Sequence, residues 1–181
     1  MKKVTVIGAG LAGCEAAYTL SRLGIKVDLI EMKPDRKTPA HKSDNFAELV
    51  CSNSLKASRT DSAAGLLKEE MRRIGSVCLD AADKSAVAAG GALAVDRDIF
   101  SNLITEKITN DPNINIINKT VTEIPKDGVT VVATGPLTDG GLAEEIAHLT
   151  GSDNLSFFDA AAPIVTKESI DFSVAFSASR Y

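Results

Sequence analysis

The sequence predicts an α/β fold: a Rossmann-like domain built on a parallel central sheet. Three observations predict it. An apolar run, Val4-Thr5-Val6-Ile7, leads straight into the G-x-G-x-x-G turn Gly8-Ala9-Gly10-Leu11-Ala12-Gly13. A second run, Lys26-Val27-Asp28-Leu29-Ile30, ends in an acid, Glu31. A third, Val129-Thr130-Val131-Val132, stops at the small residues Ala133-Thr134-Gly135. Strand, glycine turn, helix and acid-terminated strand together form a dinucleotide-binding unit.

Each element follows from local pattern. Residues 3–7 read as the first strand and 11–23 as a helix. Leu11, Cys14, Tyr18 and Arg22 line one side of that helix, and Ala12, Ala16, Ala17 and Leu20 supply a small, sheet-facing surface. Gly24 is the expected helix stop, and 26–31 the second strand, reached by a right-handed crossover. Residues 32–60 are long, polar and aperiodic, with Pro34 and Pro39. A loop of that length inside a domain suggests binding. Asp61 or Ser62 can cap a helix over 62–74 with Leu66, Leu67, Met71 and Ile74 at helical spacing. An alanine-rich helix is expected over 76–88, broken by Gly90-Gly91. Another follows over 97–109, with Ile99, Leu103, Ile104 and Ile108 as its stripe. Asp96-Arg97-Asp98 caps it. Residues 115–118 and 120–124 are short strand candidates, and 129–136 reads as a buried strand. The stretch 140–149 is a helix containing Leu142, Ile146 and Leu149. The stretch 155–181 mixes Phe157, Phe158, Phe172 and Phe176 with polar residues and has no clear element.

Composition narrows the function classes. The 181 residues are 44% hydrophobic and 24% charged, ordinary for a soluble globular chain. A net charge of −4 argues against a surface that grips nucleic acid everywhere, so any such contact is a local patch. Lys33, Arg36, Lys37, Lys42, Lys56 and Arg59 are the one local excess of positive charge, read either as a phosphate or RNA contact or as a solvated loop. No signal peptide or membrane span is expected. Cys14, Cys51 and Cys78, an odd number at wide gaps, suit reduced thiols in the cytoplasm. Two histidines and no C-x-x-C make a metal site unexpected. His41 and His148 read as ordinary surface or hydrogen-bonded histidines.

The chemistry of the glycine turn is steric and electrostatic. Gly8 permits the tight turn, Gly10 lets bare backbone approach a pyrophosphate, and Gly13 lets the helix pack closely on the sheet. The pyrophosphate sits on the helix N-terminus, where unpaired N–H groups and the helix dipole favour an anion. Glu31 is placed to accept from ribose hydroxyls. A strand ending at Ala133-Thr134-Gly135 brings a second bare backbone to the sheet edge, which favours FAD over NAD. Cys51 lies beside Ser52, Asn53 and Ser54 and near Lys56, surroundings that raise thiol reactivity. The competing reading is a small buried hydrophobe, as expected for Cys14 and Cys78.

These residues resemble a known family. The opening Val6-Ile7-Gly8-Ala9-Gly10-Leu11-Ala12-Gly13-Cys14-Glu15-Ala16-Ala17 is similar to the start of the TrmFO family, the folate- and FAD-dependent tRNA (uracil-54-C5) methyltransferases. So are Ile30-Glu31-Met32-Lys33-Pro34, Glu48-Leu49-Val50-Cys51-Ser52-Asn53-Ser54-Leu55-Lys56, Gly90–Asp98, Ala133–Pro136 and Phe176–Tyr181. The Val50–Lys56 segment separates this family from the related flavoprotein MnmG. The resemblance implies FAD reduced by NAD(P)H, 5,10-methylenetetrahydrofolate as carbon donor, and tRNA as partner. It implies Cys51 as the catalytic cysteine, acting on the uracil or beside the flavin. The cofactor-binding residues it implies are Gly8, Ala9, Gly10, Leu11, Ala12, Gly13, Glu31, Met32, Lys33, Asn53, Val121, Ala133, Thr134 and Gly135.

Family members run to well over twice this length, so residues 1–181 are expected to be the N-terminal portion of an FAD-binding domain. An insertion domain, a returning C-terminal part and a second functional cysteine would lie beyond it. Weak or absent FAD binding and no methyl transfer are expected of this portion alone. Open alternatives are an FAD- or NAD-dependent oxidoreductase, a non-catalytic dinucleotide-binding module, and a ribosomal-RNA uracil-C5 methyltransferase of the same family.

Overall fold

The computed structural model describes residues 3–151 and 166–176. Its elements are β1 (Lys3–Ile7), α1 (Leu11–Arg22), β2 (Lys26–Glu31), β3 (Ser54–Ala57), α2 (Ala63–Ile74), α3 (Val77–Lys84) and β4 (Ala86–Val87). These are followed by β5 (Ala92–Val95), α4 (Arg97–Thr109), β6 (Ile114–Asn118), β7 (Val129–Val132), α5 (Gly140–Thr150) and a single 3-10 turn at Lys167–Ser169. Phe157, Phe158 and Ser177–Tyr181 lie outside the described residues.

The main sheet is parallel, in the order β6-β2-β1-β7. In β2, Val27 and Leu29 alternate with less buried neighbours, as a strand with one core-packed face requires. They pack with Val4, Val6, Cys14, Ala17, Ile104 and Ile108 in one cluster. Each large apolar side chain buried there contributes about 1.5–3 kcal/mol. The hydrogen-bond ladder runs past the strand ends: Gly8 donates to Ile30 O (2.8 Å), Ala133 to Ile7 O (2.8 Å) and Lys119 to Glu31 O (2.9 Å). Three carboxyl-terminal loops are thereby gathered at one edge.

A second, antiparallel sheet, β3-β5-β4, accounts for two departures from expectation. The polar stretch 32–60 contains a strand, β3. The alanine-rich helix stops at Lys84, because Ala86 and Val87 pair with Val95 and Ala94. Residues 120–124 form no strand. The 129–136 run is a strand only to Val132 and, among the described residues, lies at the sheet edge, exposed at Val129 and Val132 rather than buried.

Helix faces also differ. On α1 the buried residues are Gly13, Cys14, Ala17 and Ser21. On α4, Asp96 caps the first turn by accepting from Asp98 N and Ile99 N (both 3.0 Å). Phe100, Ile104 and Ile108 then face inward while Ile99 is exposed. On α2 most of the expected stripe turns outward: Leu66, Leu67 and Ile74 are 49%, 56% and 73% exposed, and Met71 alone of the four packs against the core. Gly65 and Lys68 face inward instead. A Cβ at Gly65 would sit 1.8 Å from Arg59 O, so only glycine allows that contact. The Lys68 ammonium bonds Ala57 O and Ala64 O at 3.0 Å each. Those two contacts set the rotation of the helix, overriding its apolar stripe.

Candidate dinucleotide-binding cleft

The gathered strand ends open into a cleft of about 330 Å³. Its lining includes Gly8, Ala9, Gly10, Leu11, Ala12, Glu31, Met32, Lys33, Val121, Ala133, Thr134 and Gly135, twelve of the residues singled out from sequence. Gly13, Cys51 and Asn53 are not among the lining residues.

The glycines act as their spacing implies. Gly8 has φ +96°, and a Cβ there would meet Ala133 O at 2.7 Å, so the turn and the third loop touch backbone to backbone. At Gly13 a Cβ would sit 1.8 Å from Gly8 O, which is the close packing of α1 on the turn. Nothing lies within 4 Å of a Cβ built on Gly10, so open space faces the backbone there. Gly10 is also the N-cap of α1 and offers no side-chain hydrogen bond, and the first turn carries no acid. The helix therefore presents uncapped N–H groups at the cleft, an arrangement that suits an anion.

Glu31 is buried across the ends of β1 and β2. Its Oε2 accepts from Ala9 N (2.7 Å) and its Oε1 from Lys33 N (3.0 Å). The same Ala9 gives its carbonyl to Ala47 N (2.8 Å), and that bond brings the long loop back onto the glycine turn. Ala47 adopts φ +51°, strained for a residue with a Cβ, and is held there by burial.

This loop forms the facing wall and carries Arg36, a member of the basic excess, together with residues that local pattern did not single out as site residues: Thr38, His41, Ala47, Glu48 and Val50. Lys33 is buried; its ammonium donates to Asn45 O and lies 3.6 Å from Glu48 Oε2. Glu48 Oε1 accepts from Lys42 N (2.9 Å) and Ser43 N (3.1 Å), while its Oε2 is buried without a hydrogen-bond partner. His41 Nδ1 is 2.7 Å from Thr38 Oγ1. Burial, and then Lys33, hold the imidazole below its ordinary range. Arg36 meets Asp139 at 2.6 Å, joining the loop to the start of α5. Lys119 and Asp139 also line the cleft. The sequence signals for this wall are the length and polarity of 32–60 and its excess of Lys and Arg.

The basic excess is mostly cancelled locally: Lys33 lies near Glu48, Arg36 pairs with Asp139, Lys37 with Asp44 and Arg59 with Asp61. Lys42 and Lys56 have no acidic partner among the described residues.

The three thiols differ. Burial, helped by Glu31 and Glu15, pushes Cys14 up to about 12, and its Sγ lies 3.4 Å from Ala9 O, behind the turn. Cys78 is likewise buried and raised, chiefly by desolvation. Cys51 is exposed, one residue past cleft-lining Val50. Asn53 holds this segment on β5: its carbonyl accepts from Val95 N (2.9 Å) and its Nδ2 donates to Val95 O (3.2 Å). Asn53 thus bonds β5 and does not line the cleft. Among the described residues no cluster of three metal-ligating side chains occurs, and no helix is long and apolar enough to cross a membrane.

A family model described as "Glucose inhibited division protein A" matches residues 3–181. A Staphylococcus aureus relative is 60% identical over 178 residues, 98% of this chain and 41% of its own length. One from Acetivibrio thermocellus is 57% identical over 178 residues, with the same 98% and 41% coverage. One from Lactobacillus johnsonii is 55% identical over 181 residues, 100% of this chain and 41% of its own. All three are named methylenetetrahydrofolate–tRNA-(uracil-5-)-methyltransferase TrmFO. The chain thus spans 41% of the length of these curated relatives. Among solved structures, Aquifex aeolicus GidA aligns with a TM-score of 0.55 at 20% identity, over 69% of this chain and 21% of that one, a likeness of fold.

Proposed function

The chain belongs to the glucose inhibited division protein A family, and from that premise we propose that it provides the dinucleotide-binding part of an FAD-dependent enzyme. That enzyme methylates uracil C5 in tRNA, at position 54, with 5,10-methylenetetrahydrofolate as carbon donor and NAD(P)H as reductant. Residues 1–181 are then the N-terminal portion of its FAD-binding domain, working in the cytoplasm. The observation that carries this reading is the 55–60% identity to TrmFO proteins across nearly the whole chain, the Cys51 segment included.

The cleft fits FAD on its own terms: bare backbone at Gly10, an uncapped helix N-terminus and a buried acid between two strand ends. The backbone of Gly8–Ala12 and the start of α1 would hold the diphosphate, and Glu31 would accept from the ribose. Met32, Lys33, Val121 and Ala133-Thr134-Gly135, which line the same cleft, would complete the dinucleotide site. Bound FAD supplies two-electron reduction and the handling of the one-carbon unit. Cys51 supplies the thiol of the reaction, and Asn53 holds its segment on β5.

The test is Cys51→Ala in the enzyme at its natural length, with flavin absorbance and methyl incorporation into tRNA both measured. Retained flavin with methylation reduced by at least about a thousandfold is expected for loss of a covalent nucleophile. Undiminished methylation rules out that role for Cys51, and flavin-linked turnover without tRNA methylation favours a plain oxidoreductase.

A further inference from the structure

Resting on the reading of this cleft as an adenine-dinucleotide site, we propose that His41 is a further ligand-contacting residue, offering its imidazole to the diphosphate–ribose portion. His41 lines the same cleft as the glycine turn. Its ring is held by Thr38, whose Oγ1 lies 2.7 Å from Nδ1, and its backbone N–H donates to Thr38 O at 3.1 Å. Past His41, the next two backbone N–H groups, of Lys42 and Ser43, both donate to Glu48 Oε1. Glu48 in turn leans on the buried Lys33, and Ala47, beside it, is tied to the glycine turn through Ala9 O. A histidine on a merely solvated loop needs none of this support.

With Nδ1 engaged by the Thr38 hydroxyl, Nε2 is the ring nitrogen left for a ligand. The charged groups acting on the ring are Lys33, Glu48 and Glu31. Burial, and then Lys33, hold the imidazole below its ordinary range and so favour its neutral form. A diphosphate entering the cleft brings negative charge that favours the imidazolium, so His41 takes up one proton from solvent as the ligand binds. Binding that takes up a proton tightens as pH falls, and it continues to do so until pH drops through the free imidazole's own value, which lies below the ordinary histidine value of about 6.5.

The experiment titrates FAD into flavin-free protein of natural length between pH 6 and 8, by flavin fluorescence, with ADP as competitor. Wild type is expected to bind more tightly at the lower pH, by up to about tenfold per pH unit. His41→Gln is expected to weaken FAD and ADP alike by about tenfold at pH 6, the loss of one charge-assisted hydrogen bond, and to flatten the pH slope. Thr38→Val, which frees the ring but keeps the side-chain volume, should give a smaller loss and a shifted slope. It serves as the test if His41→Gln does not fold. Unchanged affinity and slope in the variant tested overturn the role of His41 while leaving the cleft's assignment intact. Wild type that takes up no FAD overturns both.

Discussion

At the glycine turn, residues 8–13, the close approaches that shape the turn are backbone on backbone. On the wall facing it, residues 33–48, the contacts run mainly through charged and polar side chains. Gly8 touches Ala133, and α1 touches the turn at Gly13, with no side chain between them. Lys33, Glu48, Thr38 and His41 hold one another by hydrogen bonds and charge across as many as fifteen positions. The first region is a steric device whose parts are neighbours in sequence, so one residue changed by one methyl destroys it. The second is a network, in which a lost member leaves its partner exposed to a missing charge.

The sharpest way to break that contrast is to compare two glycines. Gly13→Ala places a Cβ 1.8 Å from Gly8 O and should cost at least about 3 kcal/mol, read as a loss of folded protein in urea denaturation. Gly10→Ala meets nothing within 4 Å and should cost less than about 1 kcal/mol while abolishing FAD uptake. Equal destabilisation by the two would contradict the division of labour between them.

On the wall, Glu48→Ala removes the carboxylate beside buried Lys33 and the acceptor of two backbone N–H groups. A loss of about 3 kcal/mol is expected in the same assay. Glu48→Gln, which can still accept those N–H groups, should lose less. If the two variants behave alike, charge rather than backbone anchoring holds the wall.

The smallest effect is expected on α2. Leu67→Gln alters an exposed side chain and should change stability by less than about 0.5 kcal/mol, against the 2–5 kcal/mol expected had the apolar stripe been core. A large loss there would restore the face read from periodicity.

Legibility in the sequence tracked the range of the interaction. The glycine turn, Glu31 and Ala133–Gly135 were readable because each is a local pattern whose chemistry is fixed by backbone geometry, and all three meet in the cleft. Asp96 and Ser62 were readable as caps for the same reason. The outward turn of Leu66, Leu67 and Ile74 was not, because it depends on where Arg59 O lies against Gly65 and on Lys68 reaching Ala57 O. Asn53 read as a cofactor residue from its resemblance, yet its two bonds go to Val95, whose approach no local pattern announces.

By itself the sequence determined the parallel βαβ unit, the anion-ready turn and the acid at the end of β2. Hydrophobic period and glycine spacing act within a few residues and leave little choice. Only the tertiary structure decided which residues face that turn and how α2 is rotated. Those outcomes depend on contacts between segments far apart in the chain, where a carbonyl's position or a buried lysine's reach outweighs local preference.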